Sequence, residues 1–282
     1  MSSIITLTTD FGADDAYVAV MKGVILSVNP GANITDITHS VEPQNISQAA
    51  FILDYTARYF PKQSIHVAIV DPGVGSERRG IILKTPLALF VCPDNGILSY
   101  VIDGLSSREE LSVQYSEDGE VATLGEGSEA VAITEPRFWR QPVSATFHGR
   151  DIFAPVAAAL SLDISPYELG EKITSLHVFP IPKPFLDQDS LIGRILHVDH
   201  FGNLITNVKG SDLPGKDALV EAAGRLINGI TRYYAEGEEL MALIGSSGYL
   251  EISLKNASAA DFLNIGTGDE IKVIRQMTEE GT

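Results

Sequence analysis

The segment IHVAIVDPG, residues 65–73, combines an almost wholly apolar run with an abrupt Asp-Pro-Gly ending. A run of this kind is typical of a strand that is buried on both faces of a parallel sheet. Upstream, the β-branched run Ile4–Thr8 predicts another strand, which stops at Asp10-Phe11-Gly12. Apolar residues at helical spacing fill Tyr17–Val28 between these two strands, and this spacing predicts a helix. This part of the chain therefore alternates strands with helices.

The same alternation continues downstream. The patterns predict strands at Ile34–Thr38, Ile81–Lys84 and Leu87–Cys92, and helices at Ile46–Phe60 and Ile152–Leu162. Strands that alternate with helices imply βαβ units. We therefore expect an α/β N-terminal domain with a mostly parallel sheet flanked by helices. The polar stretch Gly104–Gly127 has no clear periodicity, so we expect it to be a surface excursion.

A proline-rich stretch marks the expected domain boundary. Pro180, Pro182 and Pro184 alternate with other residues, a pattern that can continue neither a helix nor a central strand. We predict an N-terminal domain over residues 1–180 and a C-terminal domain over residues 190–282. Short strands with Gly-rich turns make the second domain a smaller all-β barrel, with a sandwich as the alternative. Its predicted strands are Gly193–Val198, Asn203–Val208, Ala218–Ala222, Leu240–Ile244, Tyr249–Ser253 and Glu270–Ile274.

The composition narrows the range of partners. The chain has 282 residues, 20 Lys+Arg and 37 Asp+Glu, which gives a formal net charge of −17. Without a basic cluster, nucleic acid is excluded as a partner, because phosphate neutralisation needs concentrated positive charge. The single cysteine, Cys92, can form neither an internal disulfide nor a CxxC metal site. The sequence shows no secretory leader and no long apolar run, so we expect a cytoplasmic protein with no membrane partner.

Several standard catalytic motifs are absent from the sequence. It contains no GxxxxGK[ST] loop, no HExxH, no GxSxG elbow and no GxGxxG behind the first strand. The triplet Asp10-Phe11-Gly12 matches the metal-binding triplet of protein kinases, but no HRD loop accompanies it, which excludes a kinase. Asp14 and Asp15 favour a helix-capping role over metal binding. We expect no metal and no cofactor.

Polar residues at the ends of two predicted strands form a candidate site. Asp10 follows the first strand and Asp71 follows the strand at 65–70, and ligands of α/β sheets bind at that edge. Either residue could instead be structural, with Asp10 capping the next helix and Asp71 shaping the Asp-Pro-Gly turn. Arg78 shares the loop of Asp71, and His148 lies just before a predicted helix. In one crevice, Asp, Arg and His could tune one another's pKa values and position a water molecule.

Ordered blocks of sequence in both domains resemble one enzyme family. The blocks are TTDFGADDAYVAVMKGVI, ITHSVEPQNISQAAFIL, VDPGVGSERR, PDNG, FHGRDIFAPVAA, HVDHFGNLITN and GSSGYLEI. Together they are similar to the S-adenosyl-L-methionine (SAM) hydrolases, or SAM hydroxide adenosyltransferases, which are relatives of fluorinating and chlorinating enzymes. The resemblance implies an N-terminal α/β domain, a C-terminal β-barrel and a homotrimer with active sites between neighbouring subunits.

The resemblance also implies roles for individual residues. Asp71, Arg78 and His148 would form the catalytic set, and Asp10 would bind the ribose diol. The other implied substrate contacts are Asp199 and Ser246 for the methionine end, Phe201 and Asn203 for the adenosine pocket, the Asn256-Ala257 backbone for the adenine edge, and Tyr234, Ser247 and Tyr249 elsewhere on the substrate.

The implied reaction is attack of water or hydroxide at ribose C5′ of SAM, which gives adenosine and L-methionine. Halogenating relatives carry other residues where this chain has Asp71, His148 and Gly149, and the segment Arg79–Pro93 is short here. Both features favour a hydrolase. Three alternatives stay open: a SAM-dependent halogenase such as a chlorinase, a non-catalytic SAM or adenosine sensor, and an unrelated α/β hydrolase or metal-dependent phosphatase.

Overall fold

The computed structural model describes residues 4–125, 129–215, 217–237 and 239–274, and the chain divides into two compact units, Met1–Ile181 and Pro182–Thr282. The strands of the first unit are β1 (Ile4–Thr9), β2 (Asn33–Thr38), β3 (Ile65–Ile69), β4 (Gly80–Lys84), β5 (Leu89–Pro93), β6 (Val113–Tyr115), β7 (Val121–Leu124), β8 (Glu129–Ile133), β9 (Gly170–Ile173) and β10 (Ser175–His177). Its α-helices are α1 (Tyr17–Val28), α2 (Ile46–Ala57), α3 (Ser99–Ser107) and α4 (Ala154–Leu160). A π-helical turn, Gly149–Phe153, runs directly into α4.

The main sheet of the first unit is mixed, so the prediction of a mostly parallel sheet is wrong. Its seven strands follow the order β2-β1-β3-β5-β4-β8-β9. The pairs β1–β2, β1–β3 and β3–β5 are parallel, whereas β5–β4, β4–β8 and β8–β9 are antiparallel. A parallel connection needs a crossover of a dozen or so residues, but only a tight turn over residues 85–88 joins β4 to β5.

Helices cover both faces of this sheet, as the alternating pattern predicts. On one face, Leu53 of α2 and Leu105 of α3 pack in a core with Phe90 of β5. On the other face, Met21 of α1 packs in a second core with Phe153 of the π-helical turn. The sheet is therefore packed on both faces, and the loops at the carboxyl ends of β1 and β3 lie at its edge, where they can form a site.

The prediction of a surface excursion over Gly104–Gly127 is wrong for most of its length, and the end of that stretch lies outside the described residues. The helix α3 extends to Ser107, and β6 and β7 pair with β10 in a separate three-stranded sheet. Leu111 and Leu124 are buried in the same core as α3. The strands β6 and β7 form a hairpin across residues 116–120, but the third strand, β10, comes far later in the chain, where no local pattern links it to them.

The register of the main sheet brings the two candidate loops to the same edge. Thr9, the last residue of β1, lies opposite Ile69, the last residue of β3, in a parallel pair. Asp10 and Asp71 follow these positions in the chain. Neighbouring parallel strands therefore deliver both carboxylates to the carboxyl edge of the sheet.

His66 of β3 is a fully buried histidine outside the candidate site. Its Nδ1 lies 2.7 Å from the hydroxyl of Thr6, and its ring stacks on Phe90 with centroids 5.3 Å apart. Its Nε2 is buried and has no hydrogen-bond partner among the described residues. Burial lowers the pKa of His66 from 6.5 to about 4, because a charged imidazolium would be desolvated here.

The free energy of unfolding should therefore rise with pH between about pH 4 and pH 6.5. In this window the unfolded chain binds a proton at residue 66 that the folded chain excludes, so acid favours unfolding. We expect His66 to lower the stability by about 2 kcal/mol at pH 5 relative to pH 7.5. Denaturant titrations of the wild type and of His66→Leu at both pH values measure this contribution. An equal pH dependence in the two proteins would assign the effect to other groups.

The second unit is an antiparallel, nearly closed barrel-like sheet. This confirms the prediction of a small, barrel-like second domain built mainly from β-strands. Its strands are β11 (Phe185–Asp187), β12 (Ser190–Val198), β13 (Leu204–Lys209), β14 (Leu219–Ala222), β15 (Arg225–Asn228), β16 (Leu240–Ile244), β17 (Tyr249–Leu254) and β18 (Glu270–Ile274). They follow the order β15-β14-β18-β12-β13-β17-β16, with β11 paired to β12, and the end strands β15 and β16 are neighbours. A short helix, α5 (Ala259–Leu263), is an unpredicted addition. Across the described part of the chain, no helix is both long and apolar enough to cross a membrane.

Candidate active site

Asp71, Arg78 and His148 form one hydrogen-bonded cluster in the first unit. The Arg78 Nε donates to Asp71 Oδ1 at 2.9 Å, and Arg78 Nη2 donates to Asp71 Oδ2. The same Nη2 lies 2.9 Å from His148 Nδ1. The side chains of Asp71 and Arg78 are only 6% and 11% exposed, and the guanidinium packs over the Phe153 ring. One arginine therefore fixes both a carboxylate and an imidazole.

A tight loop after β3 brings Arg78 back to Asp71. The Val74 N–H donates to the Asp71 carbonyl at 3.2 Å, and the Ser76 N–H donates to the Gly73 carbonyl at 3.1 Å. Gly75 has a φ of +80°, and a Cβ at this position would lie 2.3 Å from the carbonyl oxygen of Ala145. Only glycine allows this approach, which seats the loop against the segment that leads to His148.

His148 is the residue directly before the π-helical turn Gly149–Phe153. Burial and the neighbouring Arg78 lower the pKa of His148, and Asp71 opposes this shift only in part. A neutral imidazole has one N–H, and His148 Nδ1 accepts from a guanidinium that can only donate. The proton of His148 therefore lies on Nε2, which has no hydrogen-bond partner among the described residues.

Asp71 and His148 line a cleft of ≈ 600 Å³ in the first unit, and Arg78 holds both of them by hydrogen bonds. Asp10 lies on its wall, and Asp10 Oδ2 accepts a hydrogen bond from the Gln44 N–H at 2.9 Å. Three aromatic rings, of Phe11, Tyr17 and Phe147, pack against one another on the same wall with centroids 5.2–5.8 Å apart. The cleft is thus partly apolar and partly charged, as small-molecule sites commonly are.

The prediction that Asp14 and Asp15 cap the helix α1 is wrong. The N-cap residue of α1 is Ala16, with no side-chain cap, and both Asp14 and Asp15 are exposed. The carboxylate of Asp10 also faces the segment after β2 rather than the helix. Among the described residues, no group of three or more His, Cys, Asp or Glu side chains is placed to hold a metal ion.

The second unit has its own cleft, of ≈ 720 Å³, and it collects most of the predicted adenosine contacts. The predicted residues that line it are Phe201, Asn203, Tyr234, Asn256 and Ala257. Phe201 is 74% exposed and Tyr234 is 51% exposed. The Tyr234 hydroxyl donates to Glu251 Oε1 at 2.6 Å, which fixes the direction of its ring, and burial together with this carboxylate raises the pKa of Tyr234.

Asp199 shapes the turn that carries Phe201 and Asn203. Its Oδ1 accepts the N–H groups of Phe201 and Asn203, both at 2.9 Å, and its Oδ2 accepts Asn203 Nδ2 at 2.9 Å. Gly202 has a φ of +80°, and a Cβ there would lie 2.1 Å from Ser258 Oγ. This turn is therefore pressed against the segment that begins α5.

Ser246 and Ser247 lie in the turn between β16 and β17, and Tyr249 begins β17; none of these residues lines the second cleft. The Gly245 N–H donates to the Tyr249 carbonyl at 3.0 Å and closes the turn.

The structure thus brings Asp10, Asp71, Arg78 and His148 together in the first unit.

Sequence reasoning did not single out several cleft residues. Phe11, Tyr17, Gln44, Phe147 and Arg150 all line the first cleft. Each of them lies inside a sequence block that carries the family resemblance. Gln44 also has a φ of +66°, a strained backbone state that is common at functional sites but cannot be seen in a sequence.

The comparisons with known proteins cover nearly the whole chain. Family models match residues 5–170 to the SAM hydroxide adenosyltransferase N-terminal domain and residues 193–272 to its C-terminal domain. The (R)-S-adenosyl-L-methionine hydrolase of Methanocaldococcus jannaschii is 36% identical over 96% of this chain and 95% of its own. The fluorinase of Actinoplanes sp. is more distant, at 24% identity over 96% and 97% of the two chains. The crystal structure of an uncharacterized conserved protein from Thermotoga maritima has a TM-score of 0.83 at 32% identity, and covers 96% of this chain and 100% of its own. The chain therefore belongs to the SAM hydroxide adenosyltransferase family.

Proposed function

We propose that this protein hydrolyses S-adenosyl-L-methionine to adenosine and L-methionine. The observation that carries the proposal is the cluster of Asp71, Arg78 and His148: Asp71 and His148 line one cleft with Asp10, and Arg78 holds them both. The near full-length similarity to a (R)-S-adenosyl-L-methionine hydrolase supports the same substrate. The sulfonium leaves as a neutral thioether, so the leaving group needs no proton. The enzyme's task is to prepare the nucleophile.

In this reaction water or hydroxide attacks ribose C5′. A bond forms between oxygen and C5′, and the C5′–S bond breaks with its electron pair going to sulfur. Holding the nucleophile in line with that bond supplies about 7–11 kcal/mol of rate enhancement at best. We assign the holding to the Nε2–H of His148 and to Asp71, because both groups belong to the cluster that Arg78 fixes.

Asp71 is the proposed proton acceptor. A carboxylate has about four acceptor positions, and Arg78 occupies two of those on Asp71. His148 cannot take a proton on Nδ1 while that atom accepts from Arg78. Arg78 keeps the Asp71 carboxylate in place and stabilises negative charge that develops on the nucleophile.

The remaining assignments give a role to each other residue that the family resemblance implies. Asp10 binds the ribose diol with its two oxygens. Asp199 and Ser246 contact the methionine end, and Phe201 and Tyr234 stack on adenine. Asn203 and the Asn256-Ala257 backbone complete the adenosine pocket, and Ser247 and Tyr249 contact the substrate elsewhere. The hydrogen bond to Glu251 fixes the direction of the Tyr234 ring, and the Phe201 ring is exposed. Both rings are therefore suited to stacking on a planar base.

We further propose a homotrimer in the cytoplasm whose active sites lie between subunits. One observation supports this assembly: aromatic side chains that line both clefts are exposed, such as Tyr17 at 48% and Phe201 at 74%. Exposed aromatic residues are typical of protein interfaces. Sedimentation of the purified protein tests the oligomeric state.

Asp10→Ala is expected to raise KM for SAM by about 10- to 100-fold and to change kcat much less, because charge-assisted hydrogen bonds to a hydroxyl pair are lost. Initial rates over a range of SAM concentrations give both constants. Asp118→Ala, in an exposed turn of the same unit, is the matched control. An unchanged KM would remove Asp10 from the ribose.

Chromatography of the products from purified protein and SAM, without added metal, tests the reaction. Equimolar adenosine and methionine, with and without chloride, are expected. The similarity to a fluorinase makes a halogenase the second candidate, and 5′-chloro-5′-deoxyadenosine in the chloride sample would favour it. Tight SAM binding without methionine release would instead favour a sensor.

A further inference from the structure

The segment after β2 holds the loop after β1 at several backbone positions. The Gly12 N–H donates to the His39 carbonyl at 2.8 Å, and the Val41 N–H donates to the Thr9 carbonyl at 3.4 Å. The Gln44 N–H donates to Asp10 Oδ2 at 2.9 Å. The carboxylate assigned to the ribose is therefore placed by a neighbouring segment of the chain as well as by β1.

The side chain of His39 adds a further link between the two segments. His39 Nδ1 lies 2.8 Å from Thr9 Oγ1, and His39 Nε2 lies 3.0 Å from Asp36 Oδ1. The imidazole is only 13% exposed. Lys22 pairs with the other oxygen of the Asp36 carboxylate, and Thr9 immediately precedes Asp10 in the chain.

The chemistry of these groups gives the contacts a direction. Partial burial raises the pKa of Asp36, but its contacts with Lys22 and His39 outweigh burial and lower the pKa overall, so Asp36 is an ionised carboxylate. His39 Nε2 lies within ion-pair distance of this carboxylate but is not aligned as a hydrogen bond. The nearby negative charge favours the tautomer with the proton on Nε2, in which Nδ1 is an acceptor. The Thr9 hydroxyl donates to Nδ1, while its oxygen accepts the Phe11 N–H at 3.3 Å.

We propose that His39 is a positioning residue for Asp10: through the Thr9 hydroxyl it fixes the loop over residues 9–12, and so sets the ribose-binding carboxylate. This inference rests on the proposed function. His39 does not line the cleft, so it acts through Thr9 and not on the substrate. Such a residue should affect KM for SAM more than kcat.

Two substitutions of His39 separate its two contacts. The amide of Asn reaches about as far as Nδ1 of histidine, and the amide of Gln reaches about as far as Nε2. His39→Asn can still accept from Thr9, and we expect KM within about threefold of the wild type. His39→Gln keeps only a donor facing Asp36, and we expect KM to rise about tenfold, because the buried Thr9 hydroxyl loses its acceptor.

Two substitutions of Thr9 test the same contact independently. Thr9→Val preserves the side-chain shape without the hydroxyl and should raise KM as His39→Gln does, whereas Thr9→Ser should stay near the wild type. The double variant His39→Gln/Thr9→Val should be no worse than Thr9→Val alone, because Thr9→Val already removes the contact with His39 along with the acceptor of the Phe11 N–H. His177→Gln, an exposed histidine on β10, is the matched control.

The measurements are KM and kcat for SAM, calorimetric Kd for adenosine, and thermal unfolding of each variant. A purely structural role predicts that KM follows stability, with Asn and Gln equally harmful, and that result would overturn the proposal. If His39→Gln does not fold, the Thr9 pair decides. Hydrolysis by the wild type with unchanged KM and Kd in all variants would overturn this inference alone. A wild type that neither hydrolyses SAM nor binds adenosine would overturn the proposed function as well.

Discussion

Asp71→Asn is expected to lower kcat for SAM hydrolysis by about 10²- to 10⁴-fold, the usual contribution of a positioned general base. The amide has the same shape as the carboxylate and can still accept one hydrogen bond from Arg78. It cannot accept the proton of the attacking water. We expect KM to stay within about threefold, because in the proposed arrangement Asp71 contacts the nucleophile and not the nucleoside.

The control for this variant is Asp54→Asn, which removes another arginine-paired carboxylate of the first unit, on the surface of α2. Single-turnover rates and thermal unfolding should be measured for both variants. A stable Asp71→Asn protein with full turnover would show that Asp71 is not the base. Equal losses in both variants would point to a general effect of removing an ion pair.

The alternation of strands and helices in the sequence predicted that the loops carrying Asp10 and Asp71 could reach one edge of the sheet. The strand runs at 4–8 and 65–70 and the intervening helix are visible in the residues alone, and adjacent parallel strands end at one edge. The approach of His148 was not predictable in this way. It depends on Gly75 packing against Ala145, a contact between loops that are distant in the sequence.

The sequence does contain a signal for the antiparallel strand pairing that the prediction of a mostly parallel sheet missed. The predicted strands Ile81–Lys84 and Leu87–Cys92 are separated by far too few residues for a crossover, so they can only pair antiparallel. The strands β6 and β7 showed no clear periodicity, because they are short and partly exposed, and β7 also depends on the distant strand β10. Local patterns thus predict elements with strong periodicity, and tertiary pairing decides the rest.

Two adjacent arginines, Arg78 and Arg79, allow the proposed role of Arg78 in catalysis to be tested against a matched control. Arg78 and Arg79 each use Nε and Nη2 to hold one buried carboxylate, Asp71 and Asp94 respectively. Only Arg78 also contacts His148; Arg79 instead donates to the Ser175 carbonyl at 3.0 Å. Lysine preserves the charge at either position, but its single ammonium cannot reproduce the planar arrangement of donors.

Arg78→Lys is therefore expected to lower kcat by about 10²- to 10³-fold, the cost of losing roughly two charge-assisted hydrogen bonds that order the nucleophile's partners. Arg79→Lys should lose comparable thermal stability and keep kcat within about threefold, because Asp94, the carboxylate that Arg79 holds, does not line the first cleft. The comparison of kcat with melting temperature in the two variants separates catalysis from folding. If kcat falls equally in both, Arg78 acts only through stability, and the proposed holding of Asp71 and His148 for catalysis is wrong.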